Sequence, residues 1–475
     1  MKKTSRFLCF LLILVAVACA INPVTGKREL MLISEQQEIE LGKQTDAEIG
    51  QEYGLYNDPA LANYVTSVGM ALVPYTHRPN LVYHFAVLDS PVVNAFAAPG
   101  GYIYVTRGIL ALMSSEAELA GVLGHELGHV SARHTVRQMS TAILFQVGLV
   151  IGSALSEKFA KIAGIVGLAG QLLFLKFSRD DERQADSLGV QYSRKAQFNA
   201  GEMVSFFSSL QRYGDLSGGS SVPGFLSTHP LTSERIKNVS AMITPQDTAI
   251  PKKREPYLNR IENMIYGDDP RQGYVQGNAF YHPGMRFVFS FPQGWNVQNT
   301  PVQVSLAPEG AEAAMILRVE TTNDDLAAFA QKKASSIEGR QFVSEQQITI
   351  HGMASYHQIY NIVQQDQEPL RVRLSFLRKG ANIYYFTALS KEQQFGQYDN
   401  VFRNIVSSFD NLNDPNYLNR QPKRLKILKA DGTQRLNDIF SRNGVNKNLW
   451  SLLAIANEMK AEDLPALNQL IKIVR

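Results

Sequence analysis

His125-Glu126-Leu127-Gly128-His129 sets two imidazoles four residues apart with a carboxylate next to the first. On a helix, residues i and i+4 share one face, so both rings can reach one metal ion while Glu126 reaches a water beside it. A catalytic zinc takes three protein ligands and keeps a fourth position open. It lowers the pKa of its water toward about 7, and a carboxylate can take the proton as that water attacks a peptide carbonyl. The motif predicts one Zn²⁺ per chain and hydrolysis of peptide bonds. The third ligand should come from a second helix downstream. Ser178 to Asp186 (SRDDERQAD) offers Glu182 and Asp186, again four apart. Glu182 can bind the metal, and Asp186, one turn on, can hydrogen-bond a ligand histidine.

These side chains need helices to hold them. Ser115 to His134 reads as helical, with Ala117, Leu119, Ala120, Val122 and Leu123 ahead of the motif. Gly124 and Gly128 lie inside it, and glycine weakens a helix interior by about 1 kcal/mol, so they answer to close packing or to an approaching ligand. Glu35 to Tyr53, Pro59 to Leu72, Arg179 to Ala200 and Gly201 to Tyr213 are further helices, and Asp215 to Gly224 is a loop. Leu81 to Leu88 and Tyr102 to Thr106 are rich in aromatic and β-branched residues and predict strands, with a turn at Pro99-Gly100-Gly101 between them. Thr141 to Leu155 and Ala160 to Leu175 are apolar stretches parted by Ser156-Glu157-Lys158. Each is shorter than a bilayer span, which predicts a buried or interfacial helical hairpin.

Composition shifts toward Pro, Lys and Gln around Thr244 to Arg254, marking a domain edge. Beyond Phe280, strand-like runs at Phe287–Phe291, Val302–Leu306, Ala314–Val319, Gln347–Ile350, Leu370–Leu377 and Ile383–Ala388 surround helices at Ala327–Ile337 and Gln394–Phe409. This is an antiparallel α+β pattern. Leu425 to Arg475 reads strand, helix, helix, strand. No 34-residue helical repeat is present.

The 475 residues, 45% hydrophobic and 19% charged, describe a folded chain of several domains. A formal charge of +4 without a basic run gives no footprint for nucleic acid. Lys2, Lys3 and Arg6, then apolar Phe7 to Val17, then Ala16-Val17-Ala18, form an export signal. The only cysteines are Cys9, inside that signal, and Cys19, just after it. Cleavage before Cys19 leaves one cysteine and no internal disulfide. The arrangement resembles a bacterial lipobox, with Ala16 where Leu is usual, and Cys19 as the lipidated residue. Ala20, not Asp, follows, which implies the outer membrane. The alternative is ordinary cleavage that leaves a free thiol.

Four segments then occur in order: Asn94 to Gly101 (NAFAAPGG), His125 to His134 (HELGHVSARH), Ser178 to Asp186, and Thr228-His229-Pro230 with Arg235. Together they resemble the HtpX-type zinc metallopeptidases, a gluzincin family, and its periplasmic lipoprotein branch in layout, over about residues 30–245. The resemblance implies that Glu182 is the third zinc ligand and Asp186 its supporting carboxylate. It implies that His229 either caps the fourth metal position at rest or stabilises the oxyanion during turnover. Asn94 and the strand holding Tyr102, Ile103 and Tyr104 would grip an extended substrate by strand addition. Arg133 and His134 would pair or hydrogen-bond near Asp186. After residue 250 the branch's layout is lost. The middle region, with Phe291-Pro292-Gln293-Gly294-Trp295, resembles PsbP-type modules, and the end resembles a LysM module, which would bind peptidoglycan.

The expectation is an α+β chain divided as follows: signal peptide 1–18, lipid-anchor linker 19–34, a mainly helical zincin-like protease domain with a small sheet at 35–250, a linker at 251–278, an antiparallel α+β domain at 279–412, and a LysM-like module at 413–475. The expected activity is a periplasmic zinc metalloendopeptidase, anchored to the outer membrane, acting on misfolded or unassembled envelope proteins. A zinc-bearing chaperone or scaffold that rarely cleaves, and a cell-wall-binding lipoprotein, stay open beside it.

Overall fold

The computed structural model describes residues 19–151, 177–216, 224–363 and 368–475. The signal segment, the second half of the apolar hairpin and most of the 215–224 loop lie outside the described residues. The chain forms two compact units, one of residues 1–267 with 423–475 and one of residues 268–422.

In the first unit, helix α1 (Glu35–Tyr53) starts at a capping box in which Ser34 and Gln37 satisfy each other's backbone. Helix α2 (Pro59–Leu72) starts at Asp58, with proline in its first turn. Strand β1 (His84–Leu88) lies parallel to β3 (Tyr102–Thr106), and β2 (Ala95–Ala98) pairs antiparallel with the other side of β3. The sheet order is therefore β1-β3-β2. The turn into β3 uses Gly100 at φ +76 and Gly101 at φ +93, where a Cβ on Gly101 would stand 2.5 Å from the Val82 carbonyl.

Helices α3 (Arg107–Leu112), α4 (Glu116–Ser131), α5 (His134–Ile151), α6 (Arg179–Lys195), α7 (Glu202–Leu216), α8 (Ser233–Met242) and α9 (Arg254–Ile261) follow. Every residue of α4 is buried, which makes it the central rod of the unit. Its glycines answer to close packing. A Cβ on Gly128 would come 3.0 Å from Ala185 Cα, and one on Gly124 would come 3.1 Å from the Gly189 carbonyl, both on α6. Gly128→Val is therefore expected to cost about 2 kcal/mol or more, because backbone and not a flexible tip must yield. A thermal melt of the variant at or above the wild-type midpoint would contradict this packing.

The tail belongs to the same unit. Strands β4 (Leu425–Lys429) and β5 (Leu470–Val474) form an antiparallel pair around α10 (Leu436–Arg442) and α11 (Trp450–Ala456). Leu425, Leu436, Leu453, Ile471 and Ile473 share one core with Leu119, Leu123 and Tyr257. The chain leaves and returns side by side, with Asn263 N–H donating to Leu425 O and Leu425 N–H to Met264 O, both at 2.9 Å. Residues 251–267 of the expected linker and residues 423–475 of the expected LysM-like module thus belong to the first unit. Helix α9 buries Tyr257, Leu258 and Ile261 completely, an apolar cluster that the surrounding Lys, Pro and Arg residues obscure in the sequence. Lys472 is also fully buried, and its Nζ donates to the carbonyls of Ala111 (3.1 Å), Leu112 (3.2 Å) and Met113 (2.6 Å) at the end of α3.

The second unit carries a seven-stranded antiparallel sheet whose order runs Arg340–Ile350, Met353–Ile362, Leu370–Lys379, Asn382–Lys391, Ala313–Thr321, Gln303–Pro308, Trp295–Thr300. Helix Leu326–Ser335 packs Phe329 against Phe376 and Tyr385, and helix Phe395–Ser407 packs Phe402 and Ile405 in a core with Phe386. The strand Met353–Ile362 was not expected, because polar residues break its apolar run. Among the described residues, no helix is long and apolar enough to cross a membrane.

Candidate metal centre

Helices α4 and α6 cross at their small residues, and this crossing sets the site. His125 and His129 project from one face of α4, with Nε2 atoms 3.1 Å apart. Helix α6 begins at a Ser178–Asp181 capping box, which fixes its first turn and brings Glu182 opposite them. Glu182 Oε2 lies 3.6 Å from His125 Nε2, and Oε1 lies 3.5 Å from His129 Nε2. From the one-turn helix Phe225–Thr228, His229 enters the same space. Its Nδ1 is 3.3 Å from His125 Nε2 and 2.9 Å from Glu182 Oε1. One ligand atom from each of these four residues falls within 4.8 Å of all the others.

This spacing fits a small tetrahedral cation. Bonds of 2.0–2.1 Å to zinc imply ligand-to-ligand edges of about 3.3 Å, and the edges here run from 2.9 to 3.6 Å. All four side chains are buried. Three rings and a carboxylate gathered in a dry site are a donor set that a divalent cation would neutralise. A second acidic group, Glu118, Glu202 and Glu458, differs in kind. Lys252 sits 2.6 Å from Glu202 and Arg254 sits 3.1 Å from Glu458, so protein cations already serve it.

Around the ligands stands a second layer. Asp186 Oδ1 is 2.9 Å from His125 Nδ1, and the carboxylate accepts from Arg235 at both oxygens, Nε to Oδ2 (2.8 Å) and Nη2 to Oδ1 (2.7 Å). The same guanidinium reaches Glu182 Oε2 at 2.7 Å. His134 Nδ1 is 2.9 Å from His129 Nδ1, and His134 Nε2 is 2.8 Å from Gln184 Oε1. Phe177 and Phe225 flank His229, with ring centroids at 5.5 and 4.6 Å.

Burial governs the charges. It pushes Glu126 up to about 7, partly offset by the neighbouring His125 and Arg235. Neither Glu126 oxygen has a hydrogen-bond partner, and His229 Nε2 is 3.7 Å from Oε1. For Glu182 burial works upward too, yet His229, His125 and Arg235 outweigh it and hold the carboxyl below its ordinary value. His129 lies well below the usual imidazole range, chiefly through burial, with Arg235 acting in the same direction. Burial likewise takes His134 down to about 4.

Not every expected residue is where the resemblance would put it. Arg133 does not approach Asp186. It adopts φ +55 at the end of α4 and donates from Nε to Glu38 Oε2 (2.8 Å), which Arg78 also binds, and so ties α4 to α1. Arg235 holds Asp186 instead. Tyr102, Ile103 and Tyr104 cannot receive an added strand, because β3 is the central strand and β1 and β2 already use both of its edges. Tyr102 stacks on His84 at 4.4 Å, and Tyr104 donates to Asp46 at 2.6 Å. The outer edge belongs to β2, whose Ala97 amide faces Glu126. Asn94 leads into β2 with its Oδ1 buried and unpartnered. Phe177, Phe225 and Gln184 escaped the sequence reading, and no spacing rule points to them.

Residues 59–243 match the sequence model of Peptidase family M48. The beta-barrel assembly-enhancing protease of Escherichia coli (strain K12) is 31% identical over 223 residues, covering 45% of this chain and 45% of that protein. Its namesake in Yersinia pestis is 32% identical over 260 residues, covering 52% of each. The mitochondrial metalloendopeptidase OMA1 of Schizosaccharomyces pombe is 28% identical over 230 residues, covering 46% of this chain and 64% of that one. The chain thus spans about half the length of the beta-barrel assembly-enhancing proteases it matches. Among solved structures, cyanobacterial PsbP from Synechocystis sp. PCC 6803 covers 29% of this chain and 96% of its own at 14% identity, with a TM-score of 0.25, too low to assign a fold. His125, Glu126, His129 and Glu182 all lie inside residues 59–243, the segment that is similar to Peptidase family M48.

Proposed function

We propose that this chain is a zinc metalloendopeptidase of the bacterial cell envelope, cleaving misfolded or unassembled periplasmic and outer-membrane proteins. The observation that carries the reading is the buried set His125, His129 and Glu182 with Glu126 unpartnered beside it. One Zn²⁺ held by those three ligands would supply Lewis-acid activation of water and of the scissile carbonyl. Glu126 accepts a proton from the attacking water as its oxygen bonds to the carbonyl carbon. It then delivers that proton to the departing amine nitrogen as the C–N bond breaks. His125 and His129 are oriented for binding by Asp186 and His134, and Arg235 keeps Asp186 and Glu182 charged.

His229 stands in the fourth position, and its contacts with His125 and Glu182 support the capping role over the oxyanion role in this arrangement. Substrate entry then requires His229 to leave. An extended peptide is placed along the outer edge of β2, Ala95–Ala98, where backbone pairing ignores side-chain identity. That would suit an enzyme whose targets share unfoldedness and not sequence. The names of the similar assembly-enhancing proteases support outer-membrane proteins as the substrate class. Cys19, following the export signal, supports a lipid anchor, and the β-α-α-β order of residues 425–474 supports a peptidoglycan contact.

The test is fractionation of cells expressing the full chain, followed by metal analysis and casein cleavage. The expected protein is membrane-associated, carries one zinc and loses cleavage with a chelator. A protein without zinc, or cleavage that survives chelation, would sink the reading.

A further inference from the structure

We infer that His134 is a positioning residue that fixes the tautomer of His129, through a one-way chain of hydrogen bonds that starts at Gln184. The direction follows from what surrounds His134 Nε2. Gln184 Oε1 lies 2.8 Å away. An amide oxygen can only accept, so Nε2 carries the hydrogen. Neutral imidazole has one N–H, which leaves His134 Nδ1 as an acceptor. Its partner at 2.9 Å is His129 Nδ1, which must donate. His129 is then protonated on Nδ1, and its Nε2 keeps a free lone pair aimed at His125 Nε2 and Glu182.

The start of the chain is well anchored. Gln184 stands near the start of α6, where Asp181 accepts from the Ser178 hydroxyl at 2.7 Å and pairs with Arg137, which also binds Glu29 at 2.8 Å. Both ligand histidines are thus set from behind, but by different groups. His125 Nδ1 lies 2.9 Å from the Asp186 carboxylate, while His129 donates to a neutral ring. Partners of this kind orient metal-binding imidazoles, and their loss costs about 10- to 100-fold in metal affinity. His134 stands five residues after His129, a spacing that puts two residues on different sides of one helix. The left-handed turn at Arg133, φ +55, ends α4 and swings His134 back toward the site.

The inference rests on the zinc reading above, and zinc affinity of the full chain, measured by competition with a chelating dye, tests it. Asparagine at 134 puts an acceptor oxygen where Nδ1 stood, whereas phenylalanine fills the space without one. His134→Asn is expected to bind zinc within about threefold of wild type, and His134→Phe about 10- to 100-fold more weakly. If His134→Phe does not fold, His134→Gln replaces it, since its amide sits at the level of Nε2 and leaves the Nδ1 position empty. Wild-type affinity in the variant without the acceptor, or an equal loss in His134→Asn, would overturn the relay. A wild-type chain that binds no zinc would overturn the metal reading itself.

Discussion

Glu126→Gln is expected to lower casein cleavage by about two to four orders of magnitude while one zinc per chain stays bound. The amide keeps the shape and polarity of the carboxyl but cannot take a proton. Glu126 is not among the residues that close on the metal position, so its loss should leave the ligand set intact. The surroundings also favour an ordinary fold for the variant. Both Glu126 oxygens are buried without a hydrogen-bond partner, and burial already pushes the group up to about 7. A neutral amide removes that penalty, so the melting temperature of the variant should equal or exceed that of the wild type. Cleavage at the wild-type rate would exclude Glu126 as the base. Full rescue of envelope function by a variant that cannot cleave would favour the chaperone or scaffold reading instead.

The second large effect concerns stability. Lys472→Met should destabilise the first unit by about 3 kcal/mol, read as a fall in the midpoint of chemical denaturation. The buried Nζ, which burial brings down to about 7, caps α3 by donating to the carbonyls of Ala111, Leu112 and Met113, and it lies 3.4 Å from the Ser114 hydroxyl. Methionine fills nearly the same volume but leaves those acceptors buried and unmet. The next residue, Ser115, is the N-cap of α4, so the damage falls directly before the helix that bears His125. An unchanged midpoint would mean that removing a desolvated charge compensates for the lost capping. Zinc affinity and cleavage at low temperature should stay close to wild type, which separates this brace from the relay at His134.

Local chemistry made much of the site legible in the sequence. The i, i+4 spacing of His125 and His129, repeated by Glu182 and Asp186, needs only helix geometry to become two facing pairs. Helices α1 and α2 run between the expected ends because Ser34 with Gln37, and Asp58 with Pro59, are start signals read from adjacent residues. What was hidden depends on three dimensions. Arg235 and Asp186 meet across 49 positions, and nothing local says which arginine will hold the carboxylate. His134 reaches His129 only because the chain reverses at Arg133. A strand's sequence predicts its pleat but not which of its edges is free, so β3 looked available when its neighbour β2 holds the open side. The same limit hid the tail's place: its apolar positions predict a small βααβ element, yet not that the element completes a core begun by residues near 119.

The contact between Lys472 and Ala111 spans 361 positions. A chain emerges in order, at about 5–20 residues per second, so about 20 to 70 seconds separate the synthesis of the two partners. Through that interval the helix carrying His125 and His129 has no brace at its start, while residues 268–422 are free to fold as their own unit. A nascent copy therefore passes through that stage with the start of this helix open, and the last strand to be made is the piece that closes it.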